Sequence, residues 1–362
     1  MKQLSLFFVL LAIAFFSCEE DENNSGADYS VPSTYDFINV DYSGQTERIL
    51  MLTEIKAYMA EGNSGEQLDA TRLKAMFSNG PEADFTQVYN KQLKDKTFQG
   101  QPSYFEELMD RIEQASLSNQ VAAMGTAGVV SSNDGAKSYL VGPTGVEYAQ
   151  LIEKGLMGAC FYYQATSVYL GEDRMNADNE TEEEGVGTAM EHHWDKSFGY
   201  FGVSKDFPSS LDGLAFWGVY CNRRDPFLNS NNTLMDAFLQ GRAAISNKDY
   251  SARDESISAI RSEWEKVSAA TAINYLNTAT REFDDNAIKF HALSEAIAFI
   301  YSIKFNEEKT VSHEQVDAWI AEFAGSSDVE DMNLYNTTVE DMQSVKDQIS
   351  DVFGFDDFKD EL

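Results

Sequence analysis

Asp285-Asn286-Ala287-Ile288-Lys289-Phe290-His291-Ala292-Leu293-Ser294-Glu295-Ala296-Ile297-Ala298-Phe299-Ile300-Tyr301-Ser302-Ile303-Lys304-Phe305 is the stretch that decides the fold. Its large apolar residues fall almost all the way round a 3.6-residue period, so it reads as a helix buried on most sides. A chain that buries one helix so completely must surround it with others. Helical periodicity recurs near 45–60, 68–78, 103–117, 145–170, 186–201, 211–222, 231–246, 251–281, 312–324 and 337–353, while alternation of period two is almost absent. Ser312 with Glu314 close behind reads as a helix start, and Gly80-Pro81 as a stop after the second helix. The expected fold is therefore all-α. Long helices with short connections predict two antiparallel bundles packed side by side, 34–205 and 206–362.

Two stretches lack the helical pattern. Gly125 to Gly145 is rich in Gly, Ser, Asn and Thr, and the carboxylate run around Glu172-Asp173 and Glu182-Glu183-Glu184 ends at Gly185. Both read as loops. The acidic run lacks the alternating ligands and fixed glycine of a calcium loop.

The chain has 362 residues, with Lys+Arg 27 against Asp+Glu 60, a net charge of −33, and 43% hydrophobic residues. That apolar content is too high for a disordered acidic chain, and the charge repels phosphate backbones, so nucleic acid is an unexpected partner. Met1–Ser17 has Lys2 and then about 13 apolar residues, too few to cross a ~30 Å bilayer core, and reads as a signal peptide. Phe15-Phe16-Ser17-Cys18 resembles a bacterial lipobox, with Cys18 as the lipidated residue. The acidic, polar stretch over 18–33 reads as a tether, and Glu19-Glu20-Asp21-Glu22 resembles the surface-export signal of Bacteroidetes lipoproteins. The expected address is the outer membrane, facing the periplasm or the outside. The terminal Lys359-Asp360-Glu361-Leu362 spells a eukaryotic retention signal and, in so acidic a tail, reads as coincidence. Cys160 and Cys221 lie in apolar segments and are either a bridge or two separate core thiols.

Only four histidines occur, and three sit in helices beside carboxylates. Over Thr188–Phe201, a turn of 100° per residue puts Thr188, Glu191, His192 and Asp195 on one face and Met190, Trp194, Phe198 and Phe201 on the other. In the buried helix, His291 and Glu295 stack four residues apart. A buried carboxylate needs a partner, which His291 alone can supply. Imidazole and carboxylate also suit zinc or iron, so Glu191, His192, Asp195, His291 and Glu295 form a candidate metal site if the two helices meet. Three readings remain open: a metal site, a cleft for an organic or metal-chelate ligand, and structural pairing. Neither His-Glu-x-x-His, a Glu-x-x-His pair, a G-x-S-x-G elbow nor a Walker lysine is present.

The segment Met190-Glu191-His192-His193-Trp194-Asp195-Lys196-Ser197-Phe198-Gly199-Tyr200-Phe201-Gly202, together with Tyr42-Ser43-Gly44-Gln45, Met51–Lys56 and Ala75–Asn79, resembles a bacterial lipoprotein family grouped with the imelysins. That resemblance implies two helical bundles with a G-x-H-x-x-E motif in the cleft between them. His192 matches the motif histidine, while Met190 stands at the glycine position and Asp195 at the glutamate position. The resemblance implies a lipid-anchored binding protein for a metal ion or metal-bearing ligand, with iron uptake as its setting. A zinc metallopeptidase with Glu191 as base, or a structural subunit with an envelope protein partner, are the alternatives.

Overall fold

The computed structural model describes residues 29–362. Cys18, the signal peptide and most of the tether lie outside the described residues. The fold is all-α. The helices are α1 (Ser43–Glu61), α2 (Ala70–Ser78) and α3 (Pro102–Ser116), then, after a short hairpin, α4 (Tyr148–Leu156), α5 (Glu172–Met175) and α6 (Ala189–Phe201). They continue with α7 (Trp217–Leu228), α8 (Ser230–Ser246), α9 (Tyr250–Arg281), α10 (Asn286–Ser302), α11 (His313–Ala324) and α12 (Val339–Phe353). Every expected helix is present. The largest displacement is α7, expected over 211–222, which begins later and runs through Pro226.

Short polar side chains start these helices where their orphaned N–H groups need acceptors. Asp285 accepts from Ala287 and Ile288, Asp249 from Ala252, and Ser312 from Gln315. Thr188 forms a capping box with Glu191. Gly202, Gly325 and Gly354 end α6, α11 and α12 in the left-handed region that glycine adopts without penalty.

α9 is the central post, packed on α8, α10, α12 and α7. Connectors at 247–249 and 282–285 fold it back on α8 and α10. Ala269, Ala270, Ala272 and Ala279 are wholly buried on it and let neighbouring backbones come close. α10 is clamped between α9 and α4, as its all-round apolar pattern requires. Residues before and after 205 contribute to one continuous core. It contains Trp194, Trp217, Trp264 and Trp319, all at most 1% exposed.

Two departures from the sequence reading matter. The segment expected as a single helix over 145–170 widens after Leu156 into π-helical turns, Met157–Tyr162 and Gln164–Tyr169. Such turns are uncommon and leave backbone groups out of α-helical register. The Gly125–Gly145 loop contains an antiparallel hairpin, β1 (Gly128–Ser131) with β2 (Ser138–Val141), pairing Val130 with Tyr139 and Val129 with Leu140. Val130, Leu140 and Val141 are buried, and the hairpin touches α10. The acidic run is a loop apart from the single turn of α5. Cys160 and Cys221 are free, buried thiols. No helix among the described residues is long and apolar enough to cross a membrane.

Candidate functional site

The polar face of α6 does not open into a shared metal cleft. Asp195 is 0% exposed, and its Oδ1 accepts from the Tyr35 hydroxyl at 2.7 Å and from Arg242 Nε at 3.0 Å. Burial drives its acid strength down, against the pull of Arg242 and Tyr35, and leaves its pKa at about 6. Glu191 closes the capping box with one oxygen and with the other accepts from Arg242 Nη1 at 2.6 Å and Ser246 Oγ at 2.7 Å. Burial raises its pKa, but Arg242, Ser246 and the Thr188 N–H outweigh that and hold it below the usual carboxylate range. One buried guanidinium, on α8, thus pairs with both acids.

The acids of α10 belong to a second network. His291 Nδ1 lies 2.7 Å from Glu147 Oε2, and its ring stacks on Tyr139 of β2 with centroids 4.2 Å apart. Burial disfavours the imidazolium, but Glu147 more than compensates and raises the pKa of His291. Glu295 lies 3.2 Å from Lys154 Nζ, which is also 2.6 Å from Glu153; Glu153 in turn meets Lys56 at 2.9 Å. Three buried carboxylates face Lys56, Lys154 and His291, whose protonated form Glu147 favours. Pairing is what lets such charges persist in a low-dielectric core.

The expected five-residue metal site is therefore divided. Among the described residues no group of three or more His, Cys, Asp or Glu side chains is placed to hold a metal ion. The reason is physical: each buried acid already has a cation from elsewhere in the fold, Arg242 for one pair and Lys154 for Glu295. The pairing of His291 with Glu295, expected from their spacing, gives way to His291 with Glu147.

His192 is the exception, because it lines a cavity of about 430 Å³. The walls come from the start of α1, the 90–96 segment, Tyr169 at the end of the π-helical stretch, and His192 and Lys196 one turn apart on α6. Arg48, Lys91, Lys96 and Lys196 line it, against Asp41 and Asp95. Arg48 is held by the Gln92 carbonyl at 2.7 Å and the Gly44 carbonyl at 3.1 Å, with Asp95 4.0 Å away. Among the described residues Lys91, Lys96 and Lys196 pair with no carboxylate, whereas most lysines of this chain do. Gly44 lets the Lys91 stem lie against α1, since a Cβ there would sit 3.0 Å from Lys91 Cε.

Crowding of like charge is visible in the ionisation. Burial lowers the pKa of Lys196, and the nearby Arg174, Lys96 and Lys91 lower it further. Burial and Lys196 lower that of His192, against the opposing pull of Asp41. His193 is pushed down to about 4 by burial, with Lys196 and Arg174 adding to it. Nδ1 of His192 and the Tyr200 hydroxyl are buried without hydrogen-bond partners, and Tyr200 feels the charges of Arg48 and Asp95. A net positive, solvent-open cleft is suited to holding an anion.

Sequence reasoning missed Arg48, Lys91, Lys96, Lys196 and Tyr169. One signal was there: Lys196 follows His192 by four residues, and Lys91, Lys94 and Lys96 cluster in a chain otherwise poor in cations. A second, larger groove of about 840 Å³ lies between α8, α9, Val31–Ser33 and Phe207–Ser209. Its walls are mainly apolar, and its only charged side chains are Asp236 and Glu255.

Residues 32–356 match the model of a protein family described as a domain of unknown function, DUF4856. The chain belongs to this family. The match takes in every residue of both charge networks and of the cleft. No curated protein and no solved structure is similar to the chain.

Proposed function

We propose that this chain is an envelope lipoprotein that binds a small organic anion, alone or as the chelator of a metal, in the cleft between α1, the 90–96 segment and α6. The observation that carries the reading is the concentration of Arg48, Lys91, Lys96 and Lys196 around one cavity in a chain of net charge −33. Low-dielectric walls focus the field of such a group, so a cleft of opposite sign to the whole protein selects anions against a repelling background. The start of α1 adds to this. The positive end of its dipole lies at Ser43 and Gly44 in the cleft lining, where Asp41 accepts the Ser43 N–H. In this reading a metal arrives inside its own chelator, because Glu191, Asp195 and Glu295 are committed to Arg242 and Lys154. The lipobox-like Ser17-Cys18 and the imelysin-like α6 segment support an envelope carrier role.

Isothermal titration with citrate, ferric citrate and inorganic phosphate, at low and at 300 mM salt, tests it. Citrate or its ferric complex binds, weakens with salt, and weakens at least tenfold in Lys96→Ala/Lys196→Ala. Absence of heat for all three anions, or indifference to the double substitution, overturns it. Membrane fractionation of Cys18→Ser tests the anchor, which requires the variant to leave the membrane pellet.

A further inference from the structure

The cleft is not lined by donors alone. Asp41 and Asp95 stand among its cations. Asp41 accepts the Ser43 N–H on one oxygen at 2.9 Å, and that bond keeps its pKa low, so it is an anion with a second oxygen to spare. Asp95 is only loosely paired, 4.0 Å from Arg48, with its side chain 45% exposed.

A bare oxyanion gains nothing from these acceptors and is repelled by the two carboxylates. A hydroxyl donates to one of them. Resting on the anion-binding reading above, we infer that the ligand of this cleft is a hydroxycarboxylate, whose acid groups meet Lys91, Lys96 and Lys196 while its hydroxyl donates to Asp41 or Asp95. The volume of about 430 Å³ is far larger than a single inorganic oxyanion requires and lies in the range of small-molecule pockets. The selectivity follows from unmade hydrogen bonds: a site built to receive an O–H rejects the analogue without one, because its own acceptors are then left desolvated and unpaired.

Competitive titration of the intact protein with citrate and with tricarballylate, which differ only in the hydroxyl, decides the matter; malate against succinate repeats it at lower charge. Citrate binds at least tenfold more tightly, and in Asp41→Asn/Asp95→Asn that ratio falls toward one because tricarballylate binding improves. Lys196→Ala weakens both ligands alike, and circular dichroism confirms that each variant is folded. Equal binding of citrate and tricarballylate overturns the hydroxyl assignment and leaves anion binding standing. A ratio that survives in Asp41→Asn/Asp95→Asn also overturns it. Tighter binding of inorganic phosphate than of citrate assigns the cleft to the inorganic ion and overturns the organic ligand. No binding of any of these anions defeats the cleft reading itself.

Discussion

Arg242→Leu is the most informative single substitution, because it separates an ion-pair role for Glu191 and Asp195 from a metal-ligand role. Arg242 is 1% exposed, bonds Asp195 at 3.0 Å and Glu191 at 2.6 Å, and lies over the Phe37 ring at 5.1 Å. Leucine keeps much of the apolar packing but strands Asp195, which is 0% exposed. Removing one partner of a buried pair costs about 3–5 kcal/mol. Unfolding entropy of ~2.1 cal/mol/K per residue over roughly 330 residues converts that to a fall in Tm of about 4–7 °C for a single cooperative transition.

The pH dependence carries the sharper test. Asp195 already has a folded pKa of about 6, above its ordinary value, so its contribution favours the fold at low pH and is lost as pH rises through about 6. Without Arg242 that folded pKa moves higher still, and the loss continues to higher pH. Calorimetry should therefore show a small gap between variant and parent at pH 5 and a large one at pH 8. The double variant Asp195→Asn/Arg242→Leu recovers most of the loss at pH 8, since no buried charge is stranded. EDTA leaves the parent's Tm unchanged. An equal loss at both pH values, or a Tm that depends on EDTA, would refute the reasoning.

Other outcomes follow from the same geometry. His291 has its pKa raised by Glu147, so its stabilising contribution is complete below about pH 6.5, the ordinary histidine value, and fades as pH rises through the elevated folded value; Glu147→Gln should abolish that slope in thermal melts between pH 6 and 9. Gly241→Ala places a Cβ 2.1 Å from the Trp194 ring and 3.0 Å from Ser256 Cβ, and overpacking of this kind costs about 1–3 kcal/mol, read as a lower urea midpoint with an unchanged slope. Thr188→Ala removes the acceptor for the Glu191 N–H and the box that orients Glu191 toward Arg242, a loss of about 1 kcal/mol by urea melt. A result near zero would mean that α6 needs no cap.

Much of this architecture is legible along the chain because helical periodicity is a local property. The apolar stripe Met190, Trp194, Phe198 and Phe201 is buried as its spacing requires, and α10 is enclosed because its large residues point every way. Caps at Asp249, Asp285 and Ser312 are equally local, since one side chain meets N–H groups two or three residues on. The hairpin was harder to see. Four-residue strands such as Gly128–Ser131 give too few alternations to stand out from a Gly- and Ser-rich loop, although Val129, Val130 and Tyr139 favour strands. The π-helical turns at 157–169 carry no spacing signature either. Their apolar residues fit a continuous α-helix nearly as well.

The sequence by itself determined the helices, their buried faces and the scarcity of histidine, because each depends on neighbours within a few residues. It also showed that Glu295 must have a partner, since a carboxylate on a buried helix cannot stand alone. Which partners the buried groups take was decided only by tertiary structure. Arg242 lies 47 residues from Asp195, Glu147 lies 144 from His291, and the cleft joins positions from Asp41 to Lys196. Burial energies identify a side chain that needs compensation, but they are blind to its source. Packing of α8 on α6 and of α4 on α10 makes that choice, and it leaves His192 facing a basic cleft.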